Sequence, residues 1–142
     1  MLAITRGVFQ VAIDQLRRCG AGHNECVVYA VSGLTEKDPS EIVHPIHKAT
    51  PYSYEVDSDW LGRFAARQAV EGLVVRAQIH THAGKAFHSS TDDGWPMAAT
   101  PEFVSIVVPR FGASTIPTDG LYVCVLQPNG DWNEIGPAEI IS

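Results

Sequence analysis

The spacing of apolar residues alternates between a helical and a strand period along this chain, and it predicts the order of the elements. From residue 8 to residue 20 the apolar side chains recur every three or four positions, with charged and amide side chains between them. This period predicts an amphipathic helix that covers one face of a sheet. Arg17 and Arg18 lie in its last turn, where cations are favourable because the helix dipole is negative there. The apolar positions are Val8, Val11, Ala12, Leu16 and Cys19.

A second helix is predicted after the acidic segment 57–59, and Gly72 ends it. The preceding segment, 49–54, contains Pro51 and two tyrosines and is predicted to be a loop. We interpret the apolar stripe of this helix as core rather than as a cofactor-binding face. The members of the stripe are Trp60, Leu61, Phe64, Ala65, Gln68 and Ala69.

Short runs of β-branched and apolar residues predict the strands. The run 26–31 is apolar on both faces, which is typical of a strand in the middle of a sheet. The run 41–47 is predicted to be an edge or bulged strand, because Pro45 cannot donate a ladder hydrogen bond. Further strands are predicted at 73–79, 103–108, 121–126 and 132–135, and the last two should form a hairpin.

Composition narrows the class of protein. The chain has 142 residues, of which 45% are hydrophobic and 18% charged, so we expect a single domain over residues 1–142 with a real core. A formal net charge of −6 argues against binding to a nucleic-acid backbone, which requires clustered Lys and Arg. No stretch approaches the ~20 apolar residues of a membrane span, so we expect a cytoplasmic protein without a membrane partner.

The three cysteines, Cys19, Cys26 and Cys124, are odd in number and widely spaced. This pattern indicates neither a disulfide framework nor a cysteine zinc site, and we therefore expect a reducing compartment. His44 and His47 are three residues apart, which on a strand puts them on opposite faces. We expect them to be surface or rim histidines rather than a second metal site.

The segment 78–93 holds the side chains with the most distinctive chemistry. The buried strand at 73–79 leads into His80, and a side-chain period of two puts His80 and His82 on the same face. Their backbones should be roughly 7 Å apart, which lets two imidazole nitrogens bind one ion at ~2.0–2.1 Å. The pair therefore predicts a zinc hydrolase site.

A catalytic zinc takes three protein ligands and leaves its fourth position to water. Asp93 is the predicted third ligand, since a loop containing Gly84 allows the chain to turn back. Ser90 is placed either to cap a helical turn or to donate a hydrogen bond to an oxyanion.

Each of these residues also has a structural interpretation. A His-Thr-His segment on a strand is also compatible with a hydrogen-bonded core pair, and Asp93 with a solvated or helix-capping carboxylate. His88 lies in the same loop and either touches substrate or is exposed. The set of four residues at fixed spacing favours the metal site over these alternatives.

The spacing His-x-His-x7-Ser-x2-Asp, formed by His80, His82, Ser90 and Asp93, resembles the signature of the JAMM metalloproteases, also called MPN-plus domains. The zinc isopeptidases of the proteasome lid and the signalosome belong to this family. Pairing Ser89 with Asp92 instead shortens the gap by one residue and fits less well. The family usually has a proline where this chain has Ala83, a departure that removes no ligand.

The resemblance implies an α/β fold, a single MPN/JAB-like domain with a mixed, strongly curved central β-sheet flanked by helices. In this family a glutamate on an early strand activates the zinc-bound water, and Glu25 is similar to it in position. Glu36, Glu41 and Glu55 are the rivals for that role. Ser90 would then stabilise the oxyanion of the tetrahedral intermediate.

The resemblance also implies a substrate class and partners. Enzymes with this motif cut after the C-terminal glycines of ubiquitin or a ubiquitin-like protein. A compact version is most similar to prokaryotic JAB-type proteins, which occur with ubiquitin-like, E1-like and E2-like partners, some of them in antiphage systems. Two other interpretations stay open: a catalytically silent MPN scaffold, and a zinc hydrolase of a small amide or amino-acid conjugate.

Overall fold

The computed structural model describes residues 1–87 and 100–142, and in this part the chain forms two α-helices and eight β-strands. The helices are α1 (Arg6–Gly20) and α2 (Ser58–Glu71). The strands are β1 (Val27–Gly33), β2 (Glu41–Val43), β3 (His47–Thr50), β4 (Ser53–Val56), β5 (Leu73–Thr81), β6 (Val104–Val108), β7 (Tyr122–Leu126) and β8 (Trp132–Ile135). Short 3-10 turns lie at Arg110–Gly112 and Pro137–Glu139.

Six of these strands form one mixed sheet in the order β2-β1-β5-β6-β7-β8, while β3 and β4 form a separate hairpin. Strands β5 and β6 are parallel, and the other neighbours in the large sheet are antiparallel. The predicted α/β class with a mixed central sheet is therefore confirmed. So are the central position of the first strand, which lies between β2 and β5, and the β7–β8 hairpin.

The two faces of the sheet pack against different helices. On β1, Val28 and Ala30 face a cluster that includes Phe9 and Leu16 of α1. The alternate residues of β1 face a second cluster that includes Phe64 of α2. Because β1 is apolar on both faces, each face buries a layer, and the strand is excluded from solvent over its first six residues.

Helix α1 begins where the Thr5 hydroxyl accepts a hydrogen bond from the N–H of Val8, and it ends at Ala21 in the left-handed conformation. Its predicted apolar stripe is partly wrong, because Val11 is 54% exposed. The chain has apolar residues on more than one side of this helix, so the period alone does not fix which side is buried. The buried side consists of Phe9, Ala12, Ile13, Leu16 and Gly20.

Helix α2 begins at Asp57, whose carboxylate accepts from the N–H of Trp60, and it ends at Gly72 in the left-handed conformation. Of its predicted stripe, only Phe64 is buried, while Ala65 and Ala69 are exposed. A helix that contacts the sheet along a narrow line leaves its small flanking residues in solvent. Neither helix in the described part of the chain is both long and apolar enough to cross a membrane.

Between residues 41 and 56 one strand prediction is partly wrong and one loop prediction is wrong, although β2 does lie at the edge of the large sheet as predicted. The segment 41–47 is not one strand, since β2 ends at Val43 and β3 begins at His47, with Pro45 in the interruption. The predicted loop at 49–54 is instead the β3–β4 hairpin, which turns at Pro51 and Tyr52. Strand β4 does alternate, with Tyr54 and Val56 more buried than Ser53 and Glu55, but a run of four residues is too short for this pattern to predict a strand.

Candidate metal centre

His80 and His82 lie at the end of β5, an interior strand of the sheet. His80 is fully buried and His82 is 8% exposed. Their ring centres are 5.1 Å apart. The pairing register sets His80 opposite Val27 of β1 and beside Val107 of β6, so strands on both sides hold its backbone. The two histidines that were predicted to share a face do lie together.

This pair fits one metal ion. Two imidazoles that bind through nitrogens at ~2.0–2.1 Å and at a tetrahedral angle have ring centres roughly 5 Å apart, which matches the observed separation. Neutral imidazole is a preferred ligand of zinc and of other divalent first-row metals. The donor set of His80 and His82 is therefore suited to such an ion, with further ligands to be supplied from elsewhere.

Glu25 lies two residues before the start of β1 and is buried, with 7% of its surface exposed. The neighbouring Cys26 N–H donates to the Thr81 hydroxyl at 2.9 Å, and the Thr81 N–H donates to the Cys26 carbonyl at 3.1 Å. These bonds continue the antiparallel β1–β5 register and place Glu25 opposite His82. Residues opposite one another in an antiparallel pair point to the same side, so Glu25 shares the face of both histidines.

The rival glutamates differ from Glu25 in their environment. Glu36 lies in an exposed turn, and Glu55 is exposed on β4. Glu41 accepts two hydrogen bonds from Arg67, at 3.0 and 3.2 Å. Glu25 is the buried member of the four, and it is the one that the sheet register brings to the histidine pair.

Two aromatic side chains flank the histidines. The Tyr54 ring lies 5.4 Å from that of His80, and the Phe87 ring lies 4.7 Å from that of His82 in an edge-on arrangement. Tyr54 belongs to β4, within the segment that the sequence predicts to be a loop, so its place at the site was missed. The β3–β4 hairpin thus forms one wall of the site.

The backbone of His82 is held by the end of β6 and by the turn that follows it. Its N–H donates to the Val108 carbonyl at 2.9 Å, and its carbonyl accepts from the Phe111 N–H at 2.9 Å. The Gly84 carbonyl accepts from the Arg110 N–H at 3.0 Å. The Arg110–Gly112 turn therefore holds the start of the loop that follows His82.

The remaining predicted site residues, Ser90 and Asp93, lie outside the described residues, as does His88. The third ligand and the oxyanion donor consequently stay predictions.

The structure also brings together four residues that the sequence kept apart. Cys19 and Cys26 form a disulfide, with Cα atoms 6.1 Å apart, so the prediction of no disulfide framework is wrong. The fold of α1 against β1 closes a loop of six residues, which spacing alone does not show. Cys124 is buried and does not belong to this disulfide.

His44 and His47 lie beside this disulfide, and the prediction that they point to opposite faces is wrong. The ring centres are 5.3 Å apart, because the interruption at Pro45 ends the strand that would have separated them. Partial desolvation of the ring lowers the pKa of His44, and the nearby His47 and Arg18 lower it further.

Replacing Thr81 by valine is expected to lower the free energy of unfolding by about 1–3 kcal/mol, because the buried Cys26 N–H would lose its acceptor. Urea unfolding measures this change, and hydrogen exchange of the Cys26 amide should accelerate relative to the other β1 amides. Thr35→Val, in an exposed turn, is the control and should change neither quantity. An unchanged Cys26 exchange rate would show that the hydroxyl does not hold this end of β1.

No protein-family profile matches this chain. Over 69 residues it is 42% identical to a probable metalloprotease, y4jG, of Sinorhizobium fredii. The aligned part is 47% of this chain and 41% of that protein, so the match spans less than half of the relative.

Two solved structures share the fold. A protein of Desulfitobacterium hafniense, DSY2949, superposes with a TM-score of 0.66 at 15% identity, over 100% of this chain and 92% of its own. A JAB1/MPN domain protein of Archaeoglobus fulgidus, AF2198, superposes with a TM-score of 0.53 at 11% identity, over 99% of this chain and 97% of its own. At these identities the likeness concerns the fold.

Proposed function

Since this chain is MPN/JAMM-like, in its JAB1/MPN fold and in its likeness to a probable metalloprotease, we propose that it is a metal-dependent peptidase. The observation that carries the proposal is that His80 and His82 converge, with a buried Glu25 on the same face, where the paired ends of β1 and β5 meet. A pair of imidazoles with a carboxylate on the same face supplies both metal ligands and a proton acceptor. We propose zinc as the metal, and Asp93 as its third ligand.

Bound zinc would lower the pKa of a coordinated water toward ~7 and act as a Lewis acid at the scissile carbonyl. The carboxylate of Glu25 would take the proton from the attacking water and pass it to the leaving amine. The two hydrogen bonds between Cys26 and Thr81 hold the backbone next to this carboxylate, so it keeps its place through both transfers. Ser90 is proposed to donate its hydroxyl proton in a hydrogen bond to the oxyanion.

The proposed substrate is the C-terminal glycine tail of a ubiquitin-like protein, cleaved either from a conjugate or from a precursor. Strand β4 pairs with β3 alone among the described residues, and we propose that the tail adds as a strand along its other edge. Tyr54, on that strand, contacts His80. A tail added along β4 would run toward the histidines, and glycines fit where an aromatic ring lies close to the ligands.

The proposed isopeptidase activity implies partner proteins. We propose E1-like and E2-like proteins of the same bacterial conjugation or antiphage system, in the cytoplasm. The catalytically silent scaffold and the hydrolase of small amides predict different outcomes in the assay below.

The assay incubates the chain with a ubiquitin-like protein fused through its terminal glycine to a reporter, with and without a chelator. We expect cleavage after the glycine, its loss in chelator, its recovery on adding Zn²⁺, and no cleavage by His80→Ala. His23→Ala, an exposed histidine away from the pair, is the matched control and should cleave normally.

Cleavage that persists in chelator would reject the metal mechanism. A zinc-loaded chain that cleaves no fusion and no small amide would indicate the scaffold. Cleavage of small amides without cleavage of the fusion would indicate the small-amide hydrolase.

A further inference from the structure

A second cluster of metal-binding side chains lies outside the proposed catalytic site. Cys19 is in the last turn of α1, Cys26 directly precedes β1, His44 directly follows β2, and His47 is the first residue of β3. The potential ligand atoms of all four lie within 4.8 Å of one another. The end of α1, the segment before β1 and the two sides of the Pro45 interruption therefore meet at one point.

The sulfur–nitrogen distances and the ring separation in this Cys/His cluster are close to those of a zinc site, whereas the two sulfurs are bonded to one another in the disulfide. The Cys19 sulfur lies 3.4 Å from Nε2 of His47, and the Cys26 sulfur lies 3.4 Å from Nε2 of His44. Tetrahedral zinc with Zn–S ≈ 2.3 Å and Zn–N ≈ 2.0–2.1 Å sets sulfur and nitrogen roughly 3.6 Å apart. The 5.3 Å between the two ring centres is close to the value for two imidazoles on one ion.

The other ring nitrogens are turned away from the sulfurs toward hydrogen-bonding groups. Nδ1 of His47 lies 3.0 Å from the Pro45 carbonyl, and Nδ1 of His44 lies 3.3 Å from the side-chain amide of Gln15. Histidines that bind metals commonly donate the distal N–H to a carbonyl, which fixes the tautomer with Nε2 free to coordinate. The His47 arrangement has this form.

We propose that, in the reduced chain, Cys19, Cys26, His44 and His47 bind one Zn²⁺ as a tetrahedral site. Two thiolates and two imidazoles fill all four positions, which is typical of a structural zinc rather than a catalytic one. The disulfide and the metal are alternative states of the same cysteines. A phosphine reductant and water convert the disulfide to two thiols, the phosphine becoming its oxide, and both thiols release their protons when the ion binds.

Such a metal would stabilise the wall of the proposed catalytic site. It links α1 and the start of β1 to the β3–β4 hairpin, which carries Tyr54. Cys26 follows Glu25, and the Glu25 N–H donates to the Thr50 carbonyl at the end of β3 at 3.0 Å. The ion would therefore fix the hairpin at the point where its backbone holds Glu25.

Cobalt substitution tests the proposal with a readout that only sulfur ligands give. The metal-free full chain, reduced with a phosphine, is titrated with Co²⁺. We expect a thiolate-to-cobalt charge-transfer band in the near ultraviolet that saturates within two equivalents, one for each proposed site, and disappears when Zn²⁺ is added. The double variant His80→Ala with His82→Ala should keep this band, because its ligands belong to the other site.

The decisive variant is His44→Asn with His47→Asn. It keeps both cysteines, and His44 is exposed, so the fold should be retained, as checked by circular dichroism. We expect loss of the charge-transfer band, whereas His23→Ala, an exposed histidine in the loop between the two cysteines, should keep it. Cys19→Ser with Cys26→Ser should also lose the band.

A reduced wild-type chain without the band would overturn the proposal, as would a histidine double variant with an undiminished band and unchanged affinity. Neither result bears on the peptidase, which is judged by cleavage and by the His80 variant. A wild-type chain that shows the charge-transfer band but cleaves no substrate would contradict the peptidase proposal and would support the proposed Cys/His zinc site.

Discussion

Glu25→Gln is expected to lower kcat for cleavage of the ubiquitin-like fusion by about 10²–10⁴-fold, the usual contribution of a general base. The amide has nearly the shape of the carboxylate but cannot accept the proton of the attacking water. The backbone bonds of this segment, from the Glu25 N–H to Thr50 and between Cys26 and Thr81, do not involve the carboxylate. The fold should consequently be unchanged, and the zinc content should stay that of wild type.

Two measurements separate this loss from a general defect. Steady-state kinetics should show the decrease in kcat with little change in KM, as expected for a group that acts in the transition state. Glu36→Gln, an exposed carboxylate in the turn after β1, is the matched control and should have wild-type kinetics. A Glu25→Gln enzyme with the kcat of wild type would remove Glu25 from the mechanism and reopen the choice among the rival glutamates.

The histidine pair shows what local sequence can establish. The period of two along a β-strand is a local property, so the shared face of His80 and His82 follows from their spacing once the strand is recognised. The place of Glu25 is different, because it is far from His82 in sequence and only the continued β1–β5 register brings the two opposite one another. A register between distant strands is set by the packing of both faces, which no single segment encodes. The family resemblance was therefore needed to select Glu25 from the sequence.

The Cys/His cluster shows the limit of spacing arguments. Cys19 and Cys26 are seven residues apart, and the histidines follow after a strand and a turn, so no compact motif marks the set. The cluster forms because α1 packs on β1 and because Pro45 ends β2 before His47. Both features depend on how the elements pack in three dimensions, which the spacing of residues in the sequence does not show. The hairpin β3–β4 was missed for a related reason, since strands this short are stabilised by their partners more than by their own pattern.

Phe64→Ala is expected to lower the free energy of unfolding by about 3–5 kcal/mol, the usual cost of removing a buried phenyl ring. Phe64 is 4% exposed and is the buried residue of α2. Its ring stacks on Trp60 with centres 4.9 Å apart and on Tyr29 of β1 at 6.5 Å. With the ring removed, α2 would lose its main contact with the face of the sheet that carries His80.

Urea unfolding followed by circular dichroism measures the Phe64→Ala change, and a lower midpoint with an unchanged slope would attribute it to stability rather than to altered compactness. The matched control is Val70→Ala on the same helix. Val70 is 86% exposed, so its side chain contributes little packing, and alanine favours the helix. Val70→Ala should leave the midpoint unchanged or raise it slightly. If both variants shifted the midpoint equally, α2 would not be held to the sheet through Phe64, and other residues would have to pack the sheet face that carries His80.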